Sequence, residues 1–540
     1  MADAHVRSRA GLLVGAGLSA LLLAPVLGPG FVLVRDMAFV PRTPIGGQLL
    51  GLDGVPRGVP SELVVALATR VVAAGWFQDL VLVALVAAAA WGAARLAPTT
   101  STAGAVGAAT AYGWSAYLHE RLLLGQWALL LGWAVLPWAV RAALDWRQGE
   151  PGWRAVAALG VAALGGANSL LLVGLAVVVC GRPLKALGAT ALLSLPWAVP
   201  GLLQDQVAGD PHGVAAFAAN SDSPFGVVGS LLTGGGAWAR SAFPDGRYAG
   251  SWVALAVLVA AAVGVPLLRR RLGDGLLVAA ALGLLLALLG TVAPGLLRWG
   301  VEHVPASGLL RDGQKWIAPL VLLTATGLAC TVELVVTRVP ERPARVLLTG
   351  VLALAPLAAL PGAAWAENGR LTSSHYPADW ERVARQAHGA VLVLPWSLYR
   401  AFPWDDQVTV LDPATKLLQR AVVNDALPLP GTAVRGEDPV AARLDAEVRA
   451  GTPLLAALRR EGVEQVLVER TTAGYDESTA ARQTAGLTLL ADTPELRLYA
   501  VPGTGRGPRP LEAWPVVLAD VVALAFALGA VSRVIRPARR

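Results

Sequence analysis

Residues 276–289 read LLVAAALGLLLALL, and residues 80–91 read LVLVALVAAAAW. Neither run carries a charge. With their flanks they approach the ~20 residues that cross a bilayer as a helix, the form in which a chain satisfies its own backbone in hydrocarbon. Working outward, similar runs predict about twelve spans, near residues 11–34, 78–95, 101–117, 126–143, 153–167, 168–181, 186–204, 251–268, 275–293, 316–336, 346–363 and 513–532. The fifth and sixth share one apolar stretch, broken at Gly165-Gly166-Ala167-Asn168 and read as two helices. The expected fold is a polytopic α-helical membrane protein with a small extracytoplasmic α/β domain. Its parts are a multi-span unit over 1–364, the α/β domain over 365–508, and a last span with a basic cytoplasmic tail over 509–540.

Composition agrees with a lipid solvent. Of 540 residues, 55% are hydrophobic and 15% charged, against about 45–50% and 25% in soluble domains. The net charge of +7 is scattered along the flanks of apolar runs. That pattern anchors spans at the cytoplasmic face and does not point to nucleic acid. Cys180 and Cys330 both fall inside predicted spans, which excludes a disulfide scaffold or a zinc site. Arg7 and Arg9 precede an apolar run, Gly11 to Val34, that is long for a signal peptide, so an uncleaved first span is expected.

Placing the N-terminus inside puts Arg95, Arg141, Arg147, Arg154, Arg182, Lys185, the triplet Arg269-Arg270-Arg271, Arg338, Arg342, Arg345 and the C-terminal arginines on one side. The expectation is a multi-pass protein of the cytoplasmic membrane with both termini inside. Three long segments then lie outside: Arg35–Trp76, with an amphipathic stretch from Ser61 to Ala74 suited to the interface; Gln204–Ser251; and the α/β domain, about Trp365 to Pro508. In that domain Ala378–Ala387, Ala441–Ala450 and Pro453–Arg460 have helical character. Ala390–Leu394, Gln465–Val468, Leu487–Leu490 and Leu496–Val501 read as strands. No glycine loop of the phosphate-cradling kind occurs.

Polar clusters on the outer side are the candidates for chemistry. Asp36 follows the first span in Val34-Arg35-Asp36. A carboxylate there could serve as general base toward a sugar hydroxyl, or simply pair with Arg35. His119, Glu120 and Arg121, with Gln126 close behind, form a turn able to bind a phosphate or position an acceptor; the plainer reading is a capped turn. Arg311 and Lys315 are four residues apart at a helix start, where cations oppose the helix dipole unless an anion is present. A lipid-linked phosphate would supply that anion; pairing with Asp312 is the alternative. His303 and Glu302 lie just upstream, and were expected to line the same cavity. Glu333 and Asp520 are taken as structural. In the α/β domain Trp396, Tyr399 and Trp404, with Asp405 and Asp406, could face sugar rings or pack as a core edge.

The Asp36 position, the long first outer loop with its interfacial stretch and the dozen or so spans together resemble the GT-C superfamily of polyprenyl-phosphate-dependent glycosyltransferases. His119 to Trp127, the Gly165–Asn168 break and Leu310 to Trp316 look like the membrane part of actinobacterial arabinofuranosyltransferases of cell-wall arabinan synthesis. The resemblance covers roughly Gly11 to Ala363. It implies Asp36 as catalytic base and Arg311 as holder of the donor phosphate, with Lys315 as alternative; the residues themselves suggest Arg35, His119, Glu120, Arg121, Gln126, His303, Trp396 and Trp404 as substrate contacts. It implies a polyprenyl-phosphate sugar donor, a cell-envelope glycan acceptor and a bilayer setting. Asp36 stands without the paired acidic motif of many such enzymes, Asp53 and Asp79 being the nearest outer carboxylates, so a metal-free mechanism is expected, with a divalent metal left open but unsupported by that motif. Two other classes remain open: a glycolipid or polysaccharide transporter, and a non-catalytic cell-envelope assembly protein. The near absence of charge within the spans speaks against a coupled transporter.

Overall fold

A computed structural model describes residues 2–204, 209–304, 306–429, 432–503 and 510–536. Along the chain, α1 (Ala2–Leu23) is followed by the short helix α2 (Ser61–Ala68) and then α3 (Ala74–Leu96), α4 (Thr102–Gly113), α5 (Ala116–Leu123) and α6 (Trp127–Arg147). Next come α7 (Trp153–Leu164), α8 (Gly166–Cys180), α9 (Pro183–Leu203) and two short helices, α10 (Gly213–Ala216) and α11 (Gly226–Leu232). The bundle continues with α12 (Arg247–Leu272), α13 (Gly275–Val292), α14 (Pro294–His303), α15 (Ala318–Arg338) and α16 (Arg342–Ala358). The helix Ala513–Ile535 packs last, against α7 and α9.

All twelve predicted segments contain helix, but fewer are built to cross a membrane. Among the described residues 8 helices are long and apolar enough, or 9 if Arg342–Ala358 and Pro361–Gly369, bent by 61°, form one broken span. Three predicted spans are shorter. Residues 101–117 stop at Gly113, and Ser115 restarts the chain as α5 by accepting from the Leu118 amide. Residues 153–181 break at Gly166, which adopts φ 80, leaving helices of 12 and 15 residues. At 1.5 Å per residue, these fall short of the ~30 Å hydrocarbon core. The first span also ends early, because the Pro25 turn and Gly28-Pro29-Gly30 carry the chain out of the helix well before Asp36.

Small residues let the helices approach closely, as expected where lipid offers no hydrophobic drive for association. A Cβ on Gly132 of α6 would stand 2.6 Å from the Ser169 hydroxyl and 2.7 Å from its carbonyl on α8. Gly264 of α12 approaches the Gly327 carbonyl of α15 in the same way. At one end of the bundle Glu333 accepts from Thr99, Thr100 and Ser101 and so ties α15 to the start of α4. At the opposite end lie Asp36, Gln126, Asn168, Lys315 and the α/β domain.

That domain is a five-stranded sheet in the order Thr488–Asp492, Leu496–Ala500, Gln465–Glu469, Ala390–Leu394, Arg420–Val422. The last three are parallel and the first two antiparallel. Ala390–Leu394 and Gln465–Glu469 are buried along their whole length, as parallel strands covered on both faces must be. The loop that follows α1 is stitched into this domain. Phe31–Val32 pairs with Ser373–Ser374, and the Arg35 backbone bonds to Thr409 and Leu411. Membrane bundle and sheet domain therefore share elements of chain rather than merely touching.

If the α6–α8 contact is as close as described, Gly132→Leu costs about 1–3 kcal/mol by overpacking and lowers the thermal midpoint in detergent. Gly188→Leu, with nothing within 4 Å of a Cβ, leaves it unchanged. Equal midpoints for the two variants would refute the packing.

Candidate functional site

The site grows from α5. This helix is wholly buried, and successive residues point its polar groups to different partners. His119 bonds through Nδ1 to Glu367 at 2.6 Å. Glu367 sits in a left-handed turn in which Trp365, Ala366, Glu367 and Asn368 all have positive φ. Glu120 accepts from the Ala237 amide at 2.8 Å and from Gln314 at 3.3 Å, and it faces Asp222. Burial and the facing Asp222 carboxylate push Glu120 well above the usual carboxylate range. Arg121 gives Nε to Gln314 at 2.7 Å, Nη1 to Gln126 at 2.6 Å and both terminal nitrogens to Asp312, one at 2.8 Å.

Burial alone would raise Asp312, but the Arg121 guanidinium outweighs it and holds the carboxyl below its ordinary value. The bidentate fork is the geometry in which an Arg–carboxylate pair is strongest.

Gln126 carries this network outward to Asp36. Its side-chain nitrogen stands 3.4 Å from Asp36 Oδ2. Asp36 Oδ1 accepts from the Tyr399 hydroxyl at 2.6 Å, a residue of the α/β domain. Gly125 makes the arrangement possible. It has φ 73, and a Cβ there would stand 2.2 Å from the Val34 carbonyl and 2.3 Å from the Met37 amide. The Asp36 loop thus crosses directly over the end of α5, and the Asp36 amide bonds to Leu124. Solvent still reaches Asp36, but the surrounding walls desolvate it. That raises its carboxyl above the ordinary value, against the hydrogen bonds of Tyr399 and Gln126 and the charges of Lys416 and Arg35. Burial also pushes Tyr399 up, which keeps it a neutral donor. Arg35 makes no ion pair with Asp36. It has φ 48 and bonds to Ser241 at 2.8 Å.

Arg311 and Lys315 do not share a helical face. Residues 311–313 are irregular and Gln314–Ile317 forms a 3-10 turn, so the two cations diverge. Arg311 pairs with Glu437 at 3.0 Å and lies over Phe217. Glu437 and Asp425 also hold Arg57, at 3.3 and 2.9 Å. Lys315 is buried, giving its ammonium to Asn168 Oδ1 at 2.6 Å and to the Leu309 carbonyl. Three further expectations need correction. His303 and its neighbour Glu302 lie exposed on α14, where His303 bonds to the Trp299 carbonyl, away from the cavity. Trp396 donates to Asp445 at 2.9 Å within the α/β domain. Trp404 stacks on Phe402 at 4.9 Å beside Trp380 and Tyr376, in that domain's core. Both indoles meet packing needs that aromatic composition alone does not separate from sugar binding.

Tyr399, Gln314, Glu367 and Asp222, which pairs with Arg247 at 2.7 Å, are the members that sequence reasoning did not assign. Tyr399 lay in the quoted aromatic stretch, and Asp312 beside Arg311, where it was read as a local neutraliser rather than as the partner of Arg121. Glu367 gave no signal, because nothing in its sequence neighbourhood announces a left-handed turn. Comparison of the chain with family models, with curated proteins and with solved structures returns no match.

Removing Arg121 alone strands Asp312. Arg121→Met is expected to cost about 3–5 kcal/mol in detergent unfolding, and the double variant Arg121→Met/Asp312→Leu less than the sum of the single changes. Additive losses would show that the pair carries no coupling.

Proposed function

We propose that the chain transfers a sugar residue from a polyprenyl-phosphate donor to a cell-envelope glycan or glycolipid at the outer face of the cytoplasmic membrane, with Asp36 as base. The arabinofuranosyl character of the donor belongs to this proposal through the resemblance, as do the external position of the α/β domain and the cytoplasmic termini. The observation that carries it is the seam at Asp36. A solvent-reached carboxylate of raised proton affinity stands between a membrane bundle and an α/β domain, bonded by Gln126 of one and Tyr399 of the other. A carboxylate of raised proton affinity is a better proton acceptor than an ordinary one.

In the reaction the acceptor hydroxyl oxygen attacks the anomeric carbon and its proton passes to Asp36. The bond from that carbon to the phosphate oxygen breaks, and polyprenyl phosphate leaves with the electron pair. Tyr399 and Gln126 hold the two carboxylate oxygens in place. This reading asks Arg311 to exchange Glu437 for the donor phosphate. Because Arg311 and Lys315 already have protein partners, a second reading has specific support: a non-catalytic assembly protein in which these cations only fasten the two parts together.

The test is transfer from polyprenyl-phosphate sugars to a labelled acceptor by the purified protein. Asp36→Asn is expected to lower the rate by ~100-fold or more. The wild-type rate rises with pH as Asp36 loses its proton. Tyr399→Phe removes a hydrogen bond that favours the charged form, so the rising limb moves to higher pH. Transfer untouched by Asp36→Asn sinks the base assignment, and no transfer from any donor favours the assembly reading.

A further inference from the structure

A cleft of about 520 Å³, including the part open at its mouth, lies between α12 and α16 and is floored by α4 and α15. Ala254 and Leu258 form one wall, Pro356 and Ala359 the other, and Val321 and Trp114 lie beneath. The faces of α12 and α16 around it expose Trp252, Val259, Val351 and Leu354, so its surroundings are apolar surface suited to lipid. One lining residue is out of character. Arg247, the first residue of α12, is 2% exposed. Its Nε binds Asp222 at 2.7 Å and its Nη2 binds Thr233 at 2.7 Å, but Nη1 has no hydrogen-bond partner. A buried guanidinium nitrogen left unpaired is costly, and such groups call for an acceptor.

We propose that this cleft binds a membrane phospholipid, with one acyl chain between α12 and α16 and a phosphodiester oxygen accepting from Arg247 Nη1. The apolar walls select a hydrocarbon chain. Asp222 already neutralises Arg247, so the head is recognised as a hydrogen-bond acceptor rather than as net charge. Arg247 opens α12, whose other end carries the Arg269–Arg271 triplet; the occupant therefore comes from the leaflet on the Asp36 side. It is not the reacting donor. Ser115, on the cleft wall, and Leu124, which binds the Asp36 amide, lie at opposite ends of α5, roughly 13 Å apart at 1.5 Å per residue. The site stands whether or not the chain is a transferase.

Native mass spectrometry of the detergent-purified protein tests this, with dioleoylphosphatidylglycerol, dioleoylglycerol and a prenyl phosphate as probes. One phosphatidylglycerol is expected to be retained per chain, about tenfold over dioleoylglycerol, the preference one good hydrogen bond supplies. Ala254→Phe fills the cleft and abolishes retention without touching Arg247. Arg247→Lys keeps the charge, loses Nη1 and levels the two lipids. Equal retention of both lipids by wild type, or retention unchanged in Ala254→Phe, overturns the site. Displacement of phosphatidylglycerol by the prenyl phosphate at equal concentration overturns the phospholipid assignment in favour of a carrier lipid.

Discussion

The Arg121 guanidinium organises everything around it. It is fully buried on a helix too short to span, and a buried charge must be paired and hydrogen-bonded to persist. Asp312, Gln314 and Gln126 meet that demand from three directions. Asp312 and Gln314 fix the irregular entry to α15, which is the most enclosed of the spanning helices. Gln126 fixes the start of α6 and, through its other end, Asp36. The position of the candidate base thus follows from satisfying one cation in a low-dielectric interior, and α15, α6 and the loop that follows α1 are registered to each other by the same contacts.

The seam between bundle and α/β domain obeys a different rule. Its ion pairs, Arg57 with Asp425 and Glu437, Arg311 with Glu437 and Lys416 with Glu62, are partly exposed, and pairs of that kind contribute little each. The seam is held instead by shared backbone: Phe31–Val32 against Ser373–Ser374, and Arg35 between Thr409 and Leu411. Such ladder bonds fix register where ion pairs do not, and register is what brings Tyr399 within 2.6 Å of Asp36. Weak pairs are also the ones a ligand can displace.

What was legible in the sequence follows the range of the forces involved. Local periodicity identified the strand Ala390–Leu394 to the residue and the helix break at Gly165-Gly166. Hydropathy marked more spans than there are long apolar helices among the described residues, because it averages over turn chemistry: Ser115 capping α5, and Gly166 at positive φ, cut runs that looked continuous. The His119–Arg121 and Leu310–Trp316 clusters were visible as clusters, and they do meet, through Arg121, Asp312 and Gln314. Their pairing was not visible, since partners nearly two hundred positions apart leave no local trace. The divergence of Arg311 and Lys315 depended on a 3-10 turn where a regular helix was expected, a one-turn error that separates two side chains completely.

Strain at the seam is concentrated where the candidate base is held. Arg35 takes a left-handed conformation with a bulky side chain, which costs of order 1 kcal/mol or more, and Gly125 admits the crossing only because it lacks a Cβ. Both conformations persist because flanking contacts over-determine them: Thr409 and Leu411 on one side of Arg35, Leu124 beneath Asp36. Asp36 is therefore presented by a loop tied down on both sides, while its partners Gln126 and Tyr399 come from the helical bundle and the α/β domain. A carboxylate fixed in this way cannot relax away from the walls that desolvate it, and that is why its proton affinity stays raised although solvent reaches it.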